Sequence, residues 1–322
     1  MKRRMTLKYD VTALGEALID FLPVGKSEYG ATLFAQNPGG APANVLTAID
    51  RLCGSTAFIG KVGDDIQGRY IRDVMNNLAI DTSGLILDPN YTTTMAFVDL
   101  DENGDRSFSF ARKPGADTQL TKEEVNVELI QNASIFHFGS LSLTDEPARS
   151  ATLYAIEEAK KAGVLVSYDP NYRAPLWPDE ATAIEQMRSV VPKVDIMKLS
   201  EEECALLTGE AKPEAAADAL LAQGVKCVFI TLGGDGSMLR TKDVSVFQPG
   251  MNVYAVDTTG AGDAFCGAIL FQLANQGIEK INNDNGKRIL RFANIVAGLC
   301  VEKHGGIPSM PTITDIQDVL GW

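Results

Sequence analysis

Short apolar runs alternate with amphipathic stretches along the whole chain, and this alternation restricts the fold more than any other feature. Strand candidates fall at 55–59, 134–138, 164–168, 194–199 and 225–232, and helix candidates at 43–52, 66–78, 147–162, 201–208, 213–223, 263–276 and 286–303. Repeated strand–helix units predict an α/β fold, a Rossmann-like and mainly parallel sheet with helices on both faces. Two segments break the rhythm. Residues 94–100 and 106–110 flank Asp101-Glu102-Asn103-Gly104-Asp105, which reads as a β-hairpin with a glycine-containing turn. Residues 18–34 are strand-like with no helix behind them. Two readings fit: a small antiparallel sheet acting as a lid, or edge strands of the main sheet. The expected organisation is one domain over 1–322, with a discontinuous β-lid from about 16–37 and 92–113.

The formal net charge of −13 argues against non-specific binding to nucleic acid or an anionic membrane. An anionic ligand must then be met by local N–H groups and a few placed cations. No apolar run reaches the roughly 18 residues a bilayer demands. The basic start Met1-Lys2-Arg3-Arg4-Met5 is followed by no apolar segment, so a secretory signal is not expected. The five cysteines are scattered and never spaced CxxC, which suits a reducing, cytoplasmic setting. With only His137 and His304, a zinc site or a histidine-based triad has little to draw on.

Asp257-Thr258-Thr259-Gly260-Ala261-Gly262-Asp263-Ala264-Phe265 carries the strongest chemical signal. The segment leads into a helix expected to bury Phe265, Ile269, Leu270 and Leu273. Its glycines let successive N–H groups point one way, and the helix N-terminus adds partial positive charge there. Gly260, Ala261 and Gly262 therefore read as an anion trap, with Asp263 at its rim as a base for a hydroxyl proton. The plain alternative is a glycine-rich loop with Asp263 as a helix cap. Three more polar clusters follow strand ends, where ligands of open α/β sheets sit: Asp169-Pro170-Asn171-Tyr172-Arg173, Ser200-Glu201-Glu202-Glu203 and Gly233-Gly234-Asp235-Gly236-Ser237. Glu203 and Asp169 can organise hydrated magnesium; Glu203 reads equally as a solvated first-turn carboxylate. Gly234 and Gly236 suit either a close nucleotide or a hairpin turn. Near the N-terminus, Asp20 with Pro38-Gly39-Gly40-Ala41-Pro42-Ala43-Asn44 offers backbone approach and the polar groups that sugar hydroxyls need.

Together these stretches resemble the ribokinase-type (PfkB) carbohydrate kinases, from Gly15-Glu16 to Ile307-Pro308-Ser309-Met310-Pro311. Gly39-Gly40-Ala41-Pro42-Ala43-Asn44 and Asp257-Thr258-Thr259-Gly260-Ala261-Gly262-Asp263, in that order, carry the likeness. Within the family the chain looks most like the bacterial fructokinases, on Gly15-Glu16-Ala17-Leu18-Ile19-Asp20-Phe21, Thr94-Met95-Ala96-Phe97-Val98, Gly139-Ser140-Leu141-Ser142-Leu143 and the run from Asp169 to Trp177. The resemblance implies a ribokinase-like fold, ATP with magnesium, and transfer to the 6-hydroxyl of D-fructose. It implies Asp263 as base and Gly260–Gly262 as anion hole. Asp20, Gly39, Gly40, Asn44, Phe97, Arg106, Phe108 and Arg173 would meet sugar. Ser200, Thr231, Gly233, Gly234, Gly236 and Asn294 would meet nucleotide, although Asn294 also suits a structural role. The family often carries potassium, and Asp257, Thr259 and Ser309 match its oxygen donors. Lid sheets of relatives often pair, so a homodimer through the lid is an expectation. Ser200 departs from the Asn-x-x-Glu pattern of many relatives, which weakens its own assignment and leaves Glu203 in place. A 2-keto-3-deoxygluconate kinase is the nearest alternative, since Arg173 can pair with an acid's carboxylate. An inactive kinase-fold scaffold is more distant, because Asp263 and its loop are intact. A dinucleotide-dependent dehydrogenase lacks its GxGxxG after the first strand.

Overall fold

The computed structural model describes residues 8–100 and 106–320. The expected hairpin turn at 101–105 and the basic start of the chain lie outside the described residues. The strands are β1 Tyr9–Leu14, β2 Leu18–Lys26, β3 Thr32–Gly39, β4 Thr56–Gly63, β5 Asp81–Asp88, β6 Met95–Leu100, β7 Arg106–Ala111, β8 Ala133–Gly139, β9 Leu165–Asp169, β10 Ile196–Ser200, β11 Cys227–Thr231, β12 Gly236–Arg240 and β13 Ser245–Pro249. Nine of them form one sheet in the order β13-β12-β11-β10-β9-β8-β1-β4-β5. Pairing is parallel from β11 through to β5, and the β11–β12 and β12–β13 pairings at one edge are antiparallel.

Strands covered on both faces must be apolar on both, and these are. Successive residues enter opposite cores. Phe58 and Ile135 pack with Ile49, Phe265 and Ile269 on one face, while Ile59 and Phe136 pack with Ile156, Met187 and Leu220 on the other. The helix Glu180–Val190 has no counterpart among the sequence expectations; Asp179 caps it by accepting from Thr182 N, and Ala183, Met187 and Val190 are its buried stripe.

Strand order fixes the site. After β1 the chain builds outward through β4 and β5, then returns to place β8 on the other side of β1. That reversal opens a crevice beyond the carboxyl ends of β1 and β8. A second sheet of order β3-β2-β6-β7 stands over it. Each of its hairpins is antiparallel, and the two hairpins join through a parallel β2–β6 pair. Its register aligns Asp20, Ala96 and Phe110 on one face and Phe21, Phe97 and Ser109 on the other.

Candidate active site

A cavity of about 390 Å³ lies in that crevice. Each wall comes from a strand end: Glu16 after β1, Leu141 after β8, Asn171 and Arg173 after β9, Lys198 from β10. Leu18, Asp20 and Phe110 close it from the second sheet. The helix Ala261–Gln276 aims its N-terminus at the cavity through Thr258, Thr259, Gly260, Gly262 and Asp263. A neighbouring cavity of about 530 Å³ is lined by Thr231, Gly233, Gly234, Gly236, Asn294 and the segment around Met251 and Val253. Thr258 and Gly262 line both.

The helix begins at Ala261, two residues before the expected start, because Gly260 takes the left-handed conformation with φ of 80° and caps it. The first-turn amides have no acceptor within the helix; that of Ala261 instead donates to Thr258 O at 3.3 Å in the turn before it. Asp263, on this first turn, is buried, and its Oδ2 accepts from Asn44 Nδ2 at 2.8 Å. Burial pushes its carboxyl above the usual carboxylate range, while Asn44, Lys198 and Arg173 pull it back. Asn44 therefore touches the candidate base as well as lining the cavity. Gly40 has φ of 106°, and a Cβ there would meet Glu16 O at 2.5 Å, so the turn into the helix Ala41–Arg51 requires glycine. Gly39 leaves room for Asp20, whose carboxyl is pushed up to about 6 by burial, with Arg173 opposing the rise.

Several expectations change, and Gly39, expected to meet sugar, lines neither cavity. Phe97 does not line the cavity: it stacks on Phe21 at 5.0 Å and meets Phe34 edge-on, because strand alternation turns it to the opposite face from Asp20. Phe110 takes the cavity position instead. Glu203 is no solvated carboxylate. It is buried, and its two oxygens accept from Tyr172 N and Ser200 N, both at 2.8 Å, so it ties the segment carrying Arg173 to the helix Glu201–Thr208. Asp169 lines neither cavity and is ion-paired with Lys198, Nζ to Oδ2 3.0 Å. That pairing gives it a task other than the magnesium ligation expected of it.

Ser200 caps its helix and lines neither cavity. Asn294 lines the larger cavity while bonding Ser237 Oγ and the carbonyls of Gln248 and Pro249, so the pocket and structural uses coexist. The side chains of Arg106 and Phe108 lie outside the described residues. Asp257 accepts from Thr259 N at 2.8 Å and Gly305 N at 3.0 Å, and Ser309 Oγ donates to Gly306 O beside them. This loop gathers carboxylate, hydroxyl and carbonyl oxygens behind the anion trap.

Sequence reasoning passed over Lys198 and Glu16. A lysine inside the apolar run Ile196-Met197-Lys198-Leu199 was the available signal, since buried cations need a partner. Glu16 Oε1 accepts from Ala41 N at 2.8 Å, and burial raises its carboxyl to about 7.

The chain matches the family model described as pfkB family carbohydrate kinase over residues 8–313. It is 43% identical to fructokinase-2 of Oryza sativa subsp. japonica, over 96% of this chain and 93% of that protein. Among solved structures, fructokinase from Xylella fastidiosa with bound ATP superposes with a TM-score of 0.88 at 30% identity, covering 97% and 98% of the two chains. A double mutant of fructokinase from Vibrio cholerae O395, in its fructose-, ADP- and potassium-bound form, gives 0.87 at 33% identity and covers 98% and 99%. The bacterial likeness thus appears among the structures, while the sequence relative is a plant enzyme.

Proposed function

Because this chain belongs to the pfkB family of carbohydrate kinases, we infer that it transfers the terminal phosphoryl group of ATP to the 6-hydroxyl of D-fructose. It is an ATP-dependent phosphotransferase with an alcohol acceptor. The observation that supports this reading most is the meeting of two cavities at Thr258 and Gly262, with Asp263 on the side of the smaller one. Nucleotide fits the larger cavity, lined by the Gly233–Gly236 turn, Thr231 and Asn294; sugar fits the smaller, with Asp20, Gly40 and Asn44. Asn44 Oδ1 is buried beside Gly306 and has no hydrogen-bond partner among the described residues.

In transfer, Asp263 accepts the proton of the attacking hydroxyl, and the amides after Gly260 receive the charge on the moving phosphoryl oxygens. Asn44 holds the carboxylate on the line of attack. Magnesium would be met through water by Glu203, which like Asp169 lines neither cavity but whose oxygens each keep a second lone pair, and would offset triphosphate charge. Asp257, Thr259 and Ser309 would hold potassium, a hard cation matched to the oxygens gathered there.

Arg173 lines the sugar cavity, which favours an acid sugar as the second reading. Coupled ADP release is expected to be fastest with fructose among fructose, ketodeoxygluconate, ribose and adenosine. Arg173→Gln should cost an acid sugar about tenfold more in kcat/KM than fructose. A parent enzyme preferring ketodeoxygluconate would replace the fructose reading.

Val24, Leu33, Phe34 and Phe97 leave an exposed apolar surface on the second sheet, which supports a homodimer formed there. Light scattering at micromolar protein should return the mass of two chains; the mass of one chain would remove this assignment. The five cysteines are unpaired, and among the described residues no helix is long and apolar enough to cross a membrane. A cytoplasmic location is consistent with both.

A further inference from the structure

We propose that Lys198 is a catalytic residue: its ammonium stands at the junction of the two cavities and contacts the phosphoryl group as it crosses. The inference rests on the phosphotransferase reading and adds a residue to it.

Three observations converge. Lys198 is a buried cation in the middle of β10 that lines the sugar-side cavity. Its Nζ lies 2.9 Å from where a Cβ on Gly262 would be, and Gly262 lines both cavities. The ammonium therefore sits beside the helix amides at the point a phosphoryl group must pass between nucleotide and sugar. Gly262 needs no unusual backbone angle; its missing side chain is what admits the lysine to this position.

A buried lysine ordinarily loses its proton, because burial penalises the charged form. Here the Asp169 carboxyl at 3.0 Å, with Glu203 and Asp263 further along, opposes that loss and raises the ammonium above its ordinary value. The side chain is thus a fixed charge, immobile before substrate arrives. Such preorganised charge is most effective where negative charge develops in a water-poor site. The sugar-side cavity otherwise presents the carboxyl groups of Glu16, Asp20 and Asp263, with Arg173 as its other lining cation among the described residues. A triphosphate end entering it meets repulsion that Lys198 offsets.

The step balances simply. The bond between the sugar oxygen and phosphorus forms as the bond from phosphorus to the ADP oxygen breaks. The hydroxyl proton goes to Asp263, and Lys198 keeps its own proton throughout.

Lys198→Met, close in length but neutral, tests this in the full chain. Expected is a fall in kcat of about 10²-fold, with ADP affinity by titration calorimetry and KM for fructose within a few-fold of parent. A kcat within threefold of parent would overturn the proposal. If Lys198→Met fails to fold, Lys198→Gln gives the second reading: it keeps an N–H donor toward Asp169 without the charge, so kcat should again fall about 10²-fold. A kcat within threefold of parent in a folded Lys198→Gln would equally overturn it. Should the parent leave fructose untouched, the substrate reading fails by itself. Slow ATP hydrolysis by water, which crosses the same junction, then reads Lys198→Met with the same two outcomes.

Discussion

Asp263→Asn should lower kcat by about 10²–10⁴-fold, the range for removing a general base, while leaving the fold intact. The substitution keeps the shape of the side chain, and an Asn oxygen can still accept the 2.8 Å hydrogen bond from Asn44 Nδ2. What disappears is the ability to take a proton. Rate and stability should then move in opposite directions. Burial raises the carboxyl of Asp263 in the folded chain, so between the ordinary carboxylate value and its folded value the native state binds more protons than the unfolded one. Stability is therefore lost as pH rises through that window, and the charged form at neutral pH is a net cost. The Asn variant should melt at or above the parent temperature at pH 7, with the advantage shrinking below the carboxylate range. In the parent, kcat/KM should fall on acidification starting above the usual carboxylate range. Parent-like turnover in a folded Asp263→Asn would remove the base assignment, and a variant that melts well below parent would contradict the burial argument.

The parts of the site legible in the sequence were those whose chemistry is local. The segment around Gly260 needs only a few consecutive residues to cap a helix and expose amides, and the Gly39–Asn44 segment likewise opens its own helix. Alternating apolar runs were enough for the parallel sheet, because burial on both faces leaves continuous hydrophobic strands. Contacts across the fold were not legible. Nothing near Lys198 in sequence announces Gly262, and nothing near Asn44 announces Asp263; the strand order creates both meetings. Phe97 shows the finer limit. Its place on a strand apart from the main sheet was legible, but which face it occupies depends on register against β2. Glu203 shows another: the Ser200-x-x-Glu203 capping box singles it out locally among three acidic residues, but its second contact, from Tyr172 N, comes only with the tertiary fold.

Asp117→Ala should destabilise the protein by about 3–5 kcal/mol, the scale for breaking a buried ion pair by removing one partner. Arg112 and Asp117 are both buried, with Nη2 2.7 Å and Nε 2.8 Å from the same Oδ2. The guanidinium also donates to Leu141 O at 2.9 Å and Thr144 Oγ1 at 3.0 Å, while Thr94 Oγ1 donates to Asp117 Oδ1. Thr94 immediately precedes β6 and Arg112 immediately follows β7, so one carboxylate ties both ends of this hairpin together while Arg112 holds them to the loop after β8. Removing it leaves a cation buried without its counter-ion and a hydroxyl without its acceptor, against a total stability of about 5–15 kcal/mol for an ordinary domain. Asp117→Asn, which keeps acceptors for Thr94 and one guanidinium N–H, should lose less. The effect reaches function through geometry, since Leu141 and Phe110 both line the sugar-side cavity and both belong to the segments this pair joins. Urea unfolding checks the stability loss, and KM for the sugar checks the link: it should rise in Asp117→Ala at temperatures where the variant remains folded, with affinity for ADP unchanged. A loss below about 1 kcal/mol, the scale of an exposed pair, would mean that water reaches the guanidinium and that the hairpin is held by packing alone.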